Sequence, residues 1–160
     1  QSGRGNRVES RIVRVAIGSD HAGFDLKETI KALLDQLRIP YEDFGSASTA
    51  SVDYPDLAAA VSHAVVDGGA DRGILVCGTG IGMAMAANKI GGVRAAVVWD
   101  ESSARFSRAH NNANIMALGG RTTPADRAMD MVRAFLTTEY EGGRHERRLE
   151  KIARLERKDS

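Results

Sequence analysis

The chain is poor in the residues that staple, stack or steer. One cysteine in 160 residues excludes an intrachain disulfide and a cysteine-rich zinc site, and fits a reducing compartment. Aromatic residues make up 5% of the chain, too few for a surface that stacks single-stranded bases. The net charge of +1 provides no global field for nucleic acid or an anionic membrane. No apolar run approaches the ~20 residues of a membrane span. Neither nucleic acid nor a membrane is therefore an expected partner. Residues 1–11 (QSGRGNRVESR) are polar and lack an apolar signal core, so they read as a disordered leader ahead of one domain over residues 12–157. A cytoplasmic location is the default expectation. The remainder, at 42% hydrophobic and 27% charged residues, suits a soluble globular fold long enough to bury a full core.

Strand and helix signals alternate along the chain. Ile12 to Gly18 is β-branched and mostly apolar, the pattern of a buried strand. Leu26, Ile30, Leu33, Leu34 and Leu37 recur at helical spacing and predict an amphipathic helix over 22–37. Tyr41 to Phe44 reads as a second strand, and Pro55 suits the first turn of a helix reaching Val66. Gly73 to Val76, Arg94 to Val98 and Asn114 to Leu118 complete a set of five strands. Helices are expected over 83–89, 101–110 and 124–136, and a charged one after Gly142-Gly143 to about Arg157. Such alternation predicts an α/β fold with a five-stranded parallel sheet, helices on both faces and an extra C-terminal helix. Ligands bind such sheets at the carboxyl ends of the strands.

The residues with chemistry fall at those ends. The third strand runs into Cys77-Gly-Thr-Gly-Ile-Gly82, where glycines let backbone N–H groups approach a ligand and a helix start adds positive potential. These surroundings favour the thiolate of the lone cysteine. A cysteine at a strand end also serves as a small core residue, so position alone does not separate the two roles. Asp20-His21 follows the first strand, and Asp20 there also suits a helix cap. His110-Asn111 sits in a loop and brings a group that titrates near neutral pH. Arg121 follows the fifth strand. Arg144 and Arg148, four apart, share a helix face and suit a phosphate. No metal-ligand cluster is visible in the spacing. The same loop also imitates a dinucleotide fingerprint, with Gly78-x-Gly80 before a helix and Asp100 about 20 residues on. The third glycine falls at 82 rather than 83, and the connecting helix is short.

Six motifs in order carry a resemblance. They are Gly18-Ser-Asp-His-Ala-Gly-Phe24, Asp53-Tyr-Pro55, Cys77 to Gly82 with Ala87-Asn-Lys89, His110-Asn111, Ala117-Leu-Gly-Gly-Arg121, and Tyr140-Glu-Gly-Gly-Arg-His145. Together they resemble the ribose-5-phosphate isomerase type B family, which also contains galactose-6-phosphate isomerase subunits. The resemblance implies a Rossmann-like αβα sandwich, working as a homodimer or homotetramer whose active site is shared between chains. It implies interconversion of ribose 5-phosphate and ribulose 5-phosphate through an enediolate, in the non-oxidative branch of the pentose phosphate pathway, with no cofactor or metal. One version of the family uses a cysteine before the glycine loop as base, the other a glutamate after it. Here Cys77 is present and Met83 stands at the glutamate position, so the chain resembles the cysteine version. By this resemblance Cys77 moves the proton, His110 opens the sugar ring, and Asp20 orients hydroxyls or assists. Gly78, Thr79, Gly80, Ile81 and Gly82 hold the enediolate oxygen. Asn111 binds a hydroxyl, and His21, Arg121, Arg144 and Arg148 hold the phosphate. A nucleotide-binding protein and a non-catalytic sugar-phosphate binder remain alternative readings.

Overall fold

The computed structural model describes residues 13–158. The leader expected over 1–11 and Ile12 lie outside the described residues. Five strands form one parallel sheet: β1 (Val15–Ser19), β2 (Tyr41–Asp43), β3 (Arg72–Cys77), β4 (Ala95–Val97) and β5 (Ile115–Gly119). Six helices connect and flank them: α1 (Phe24–Gln36), α2 (Tyr54–Val66), α3 (Ile81–Ala87), α4 (Glu101–Ala109), α5 (Ala125–Thr137) and α6 (Arg144–Lys158). The sheet order is β2-β1-β3-β5-β4. Parallel strands covered on both faces must be apolar throughout, and β1, β5 and all of β3 after Arg72 are buried.

Two cores result. Leu26, Ile30, Leu33 and Leu34 of α1 join Ala128, Met131, Val132 and Phe135 of α5 against one face of the sheet. Ala58, Val61 and Val65 of α2 join Met83, Ala84 and Ala87 of α3 against the other. The α/β sandwich expected from alternation is therefore the observed one. Element ends differ by a few residues. The helix expected from Met83 already begins at Ile81, because Gly80 in the left-handed region (φ 84°) turns the chain directly into it.

Register places the functional loops side by side. Ser19 pairs with Val76 and Cys77 with Gly119, so β1, β3 and β5 end level. Backbone hydrogen bonds carry the alignment past the strands: Asp20 N–H donates to Val76 O (3.1 Å), Gly120 N–H to Cys77 O (2.7 Å) and Arg121 N–H to Gly78 O (3.1 Å). The chain order reverses between β1 and β3, the position where an open α/β sheet opens a crevice.

Candidate active site

Cys77 is the last residue of β3 and is 5% exposed. The Gly80 N–H donates to its sulfur across 3.1 Å. A thiolate accepts such a bond more strongly than a thiol does. The bond exists because Gly80 adopts positive φ and packs on the backbone of Leu118, where an added Cβ would lie 2.9 Å from three main-chain atoms. The N–H groups of Gly78, Thr79 and Gly82 hold no hydrogen bond among the described residues. Thr79 is exposed, and its hydroxyl oxygen accepts the Ile81 N–H at 3.3 Å. The loop is thus a set of free donors beside a sulfur.

Asp20 lies one strand over and is 6% exposed. Its Oδ1 accepts the Gly23 N–H (3.0 Å), the capping role expected of it. Its Oδ2 has no hydrogen-bond partner among the described residues. His21 opens the short 3-10 turn His21–Gly23 and carries a buried, unpartnered Nδ1. On the β5 side the Arg121 guanidinium lies close to Gly78, where an added Cβ would meet its Nη1 at 3.3 Å. Arg121 forms no ion pair among the described residues. Asp20, His21, the Cys77–Gly82 loop and Arg121 therefore make one site.

Four further residues support this site. The Tyr54 ring lies on Gly82, so close that a Cβ there would come within 2.7 Å of it. Lys27, fully buried on α1, donates to both carboxylate oxygens of Asp43 (2.8 Å each) and to Ser46 O (2.6 Å). Ser46 in turn bonds Ser19 through its N–H (2.7 Å), so this clamp holds the wall beside Asp20. Burial pushes the Asp43 carboxyl up, but the hydrogen bonds from Lys27 and Lys31 outweigh it and hold Asp43 below its usual range. The helical pattern of α1 marks Lys27 as one more solvated lysine. Only its tertiary partners show otherwise.

The remaining expected site residues form a second group. His110 follows α4, and its ring stacks between Phe106 (centroids 4.9 Å apart) and His145 (4.3 Å). Arg144 and Arg148 lie on the first turns of α6, where the Arg148 Nη1 donates to Arg144 O (3.2 Å). Among the described residues neither pairs with a carboxylate, unlike Arg154, which reaches Glu150 at 4.0 Å. Arg108 holds the group's backbone: it is 4% exposed and donates to Thr138 O, Asn112 Oδ1 and Ala113 O. Burial, with Arg72 and Arg94 nearby, pushes Arg108 down to about 10. Glu141 was not singled out by sequence, yet its Oε1 lies 3.8 Å from Nε2 of both His110 and His145. The fold brings these three residues together, with one donor atom from each within 4.8 Å of the others, a juxtaposition that sequence spacing does not show. Asn111 turns away to line a groove of about 1080 Å³ with Trp99, Phe106, Ile152 and Leu155.

No hydrogen bond or ion pair joins the two groups among the described residues. The dinucleotide alternative loses its acid. Asp100 caps α4 by accepting the Ser103 N–H (2.7 Å), a bond that lowers its carboxyl. Moreover, β5 stands between β3 and β4, so Asp100 does not neighbour the glycine loop.

Known proteins resemble this chain along nearly its whole length. The family model for Ribose/Galactose Isomerase matches residues 15–152. The chain is 43% identical over 145 residues to ribose-5-phosphate isomerase B of Escherichia coli, covering 91% of this chain and 97% of that protein. It is 42% identical over 149 residues to D-erythrulose-4-phosphate isomerase of Pectobacterium atrosepticum, covering 92% and 98%. The structure of Clostridium thermocellum ribose-5-phosphate isomerase B superposes with a TM-score of 0.91 at 48% identity, covering 92% of this chain and 99% of that one.

Proposed function

Because the chain belongs to the ribose/galactose isomerase family, we propose that it interconverts ribose 5-phosphate and ribulose 5-phosphate, with Cys77 as the base. The observation that carries this reading is the Gly80 N–H on the Cys77 sulfur, with Asp20 just past the end of the neighbouring strand and Arg121 beside Gly78. Aldose–ketose isomerisation needs a base for the carbon acid, donors for the enediolate oxygen and a group that opens the ring. The Cys77 thiolate removes the proton at C2 and returns it at C1. The unoccupied N–H groups of Gly78, Thr79 and Gly82, with the Thr79 hydroxyl, hold the charge that develops on oxygen. Gly80 serves the sulfur and Ile81 is tied to Thr79, so these two shape the loop. Asp20, with Oδ2 free, orients the sugar hydroxyls. His21 and Arg121 hold the phosphate from one side.

His110, Asn111, Arg144 and Arg148 then belong to the site of a second copy. His110 protonates the ring oxygen on opening, Asn111 meets a hydroxyl, and the arginines close on the phosphate. The separation of the two groups within one chain supports a homodimer or homotetramer with shared sites. So does the exposed apolar surface of Ile81, Met85, Trp99 and Phe106. No step requires a metal, and turnover is expected to withstand EDTA.

The test is Cys77→Ala, measured for binding and turnover. A positioned base contributes roughly 10²–10⁴-fold. Turnover should fall by at least about a hundredfold while ribose 5-phosphate still binds, and iodoacetamide should inactivate the wild type unless substrate protects it. A Cys77→Ala enzyme that retains more than a tenth of its activity would refute the thiolate base. A second reading concerns only the sugar. The erythrulose-4-phosphate isomerase is about as similar as the ribose-5-phosphate isomerase of E. coli. A panel of tetrose, pentose and hexose phosphates ranked by kcat/KM decides between them.

A further inference from the structure

We infer that His110, Glu141 and His145 form a site for a borderline divalent transition metal such as zinc, and that an ion there switches the isomerase off. Two imidazoles and one carboxylate are the donor set that suits zinc, cobalt or nickel rather than magnesium or calcium. Both Nε2 atoms lie 3.8 Å from the same Glu141 oxygen, and one donor atom from each residue falls within 4.8 Å of the others. One donor atom of each residue must close to about 2.0–2.1 Å from the ion. The Glu141 side chain is 62% exposed and free to do so. The two ring planes lie 20° apart in the stack and each lone pair lies in its own ring plane, so the His145 ring must turn out of the stack for both to meet one ion.

The backbone prepares the arrangement. Glu141 donates its N–H to Ala109 O (3.0 Å) and so fixes its loop to the residue before His110. His145 donates its N–H to Gly142 O (3.1 Å) at the start of α6. Phe106 covers the other face of His110 and limits its rotation. Arg144 and Arg148 lie close by and repel any cation. Directional imidazole bonds can offset that repulsion for a transition metal. The inhibitory half of the inference rests on the function proposed above: a metal on the His110 Nε2 occupies the lone pair through which the ring-opening proton passes. The binding half does not depend on it.

The two halves are tested on the full chain. Cobalt(II) absorption and zinc titration calorimetry report binding without turnover. We expect one ion per chain in the wild type and in Cys77→Ala, with no sulfur-to-cobalt charge-transfer band. Binding should weaken at least about tenfold in Glu141→Ala and in His145→Ala. Glu141 is exposed, so its replacement leaves the fold intact. Zinc should inhibit sugar-phosphate isomerisation, EDTA should restore it, and magnesium should have no effect. Unchanged binding in Glu141→Ala, or binding lost in Cys77→Ala, would overturn the site. Tight binding with undiminished turnover would overturn the switch alone. A chain that isomerises no sugar phosphate would sink the proposed function, while the cobalt spectrum would still decide the site.

Discussion

Gly80 has two duties that no other residue can perform together. Its φ of 84° turns β3 into α3, and that turn aims its N–H at the Cys77 sulfur. Gly80→Ala should cost roughly 1–2 kcal/mol from the left-handed backbone alone, with more from the contact on Leu118. Gly68 supplies the control: it has φ 89° with nothing within 4 Å of an added Cβ. Gly68→Ala should lower Tm modestly and leave kcat alone, whereas Gly80→Ala should lower both. Equal kcat in the two variants would detach the loop geometry from catalysis. Arg144 and Arg148 make the complementary case, since among the described residues no carboxylate neutralises either guanidinium. A charge-assisted phosphate contact contributes about 1.5–3 kcal/mol, so either alanine variant should raise KM roughly tenfold or more. An unchanged KM in both would make α6 a mere surface helix. The Cys77–Gly82 loop was legible in the sequence because a run of consecutive residues makes the whole device. Lys27, Tyr54, Glu141 and His145 were not, because each draws its role from a partner distant in the chain.

Among the elements, the clamp between α1 and β2 shows how a helix can serve a site it does not enter. Lys27 is fully buried, and Asp43 and Ser46 O satisfy its ammonium. Breaking such a pair from one side leaves a buried charge and typically costs about 3–5 kcal/mol. Asp43→Asn should therefore lose far more stability than an exposed exchange such as Glu101→Gln. The pH dependence follows from the sign. The folded-state Asp43 carboxyl is held below its ordinary value of 3.8. Its contribution is thus complete above about pH 3.8 and is lost as pH falls through the folded value. The gap in Tm between wild type and Asp43→Asn should narrow with acid below that pH, and a gap constant from pH 7 to pH 3 would deny the carboxylate this role. Elements themselves were the most legible part of the chain. Helical spacing identified α1 and α5, Pro55 marked the start of α2, and apolar runs marked β1, β3, β4 and β5, whereas β2 (Tyr41-Glu-Asp43) is an edge strand with no such run. Sheet order was not legible. Whether β4 or β5 lies beside β3 depends on how α3 and α4 pack, and that order is what removed Asp100 from the loop.

At the scale of the whole molecule, the two groups of candidate residues pose one question. Cys77, Asp20 and Arg121 gather at the ends of β1, β3 and β5, while His110, Arg144 and Arg148 gather around the start of α6. Among the described residues, no hydrogen bond or ion pair joins Cys77 to His110. Around the second group lies apolar surface that one chain leaves open: Trp99 is 64% exposed, Phe106 49% and Leu155 66%. A two-fold dimer uses the same patch on both subunits, so whatever one chain lends to its partner it also receives. If each site draws Cys77 from one chain and His110 from the other, two dead enzymes can repair one another. Cys77→Ala and His110→Ala homodimers should each be nearly inactive. After mixing and subunit exchange, half the dimers are hybrids, and each hybrid has one site with both residues intact and one with neither. Activity should then recover to about a quarter of the wild-type value per chain. Sedimentation should show a dimer or larger throughout, which confirms that exchange rather than dissociation is being measured. No recovery from a mixture shown to contain hybrids would mean that each chain builds its own site. In that case α6 and the His110 loop would have to move onto Cys77 within one subunit, and a fully active 17 kDa monomer would be the form to look for.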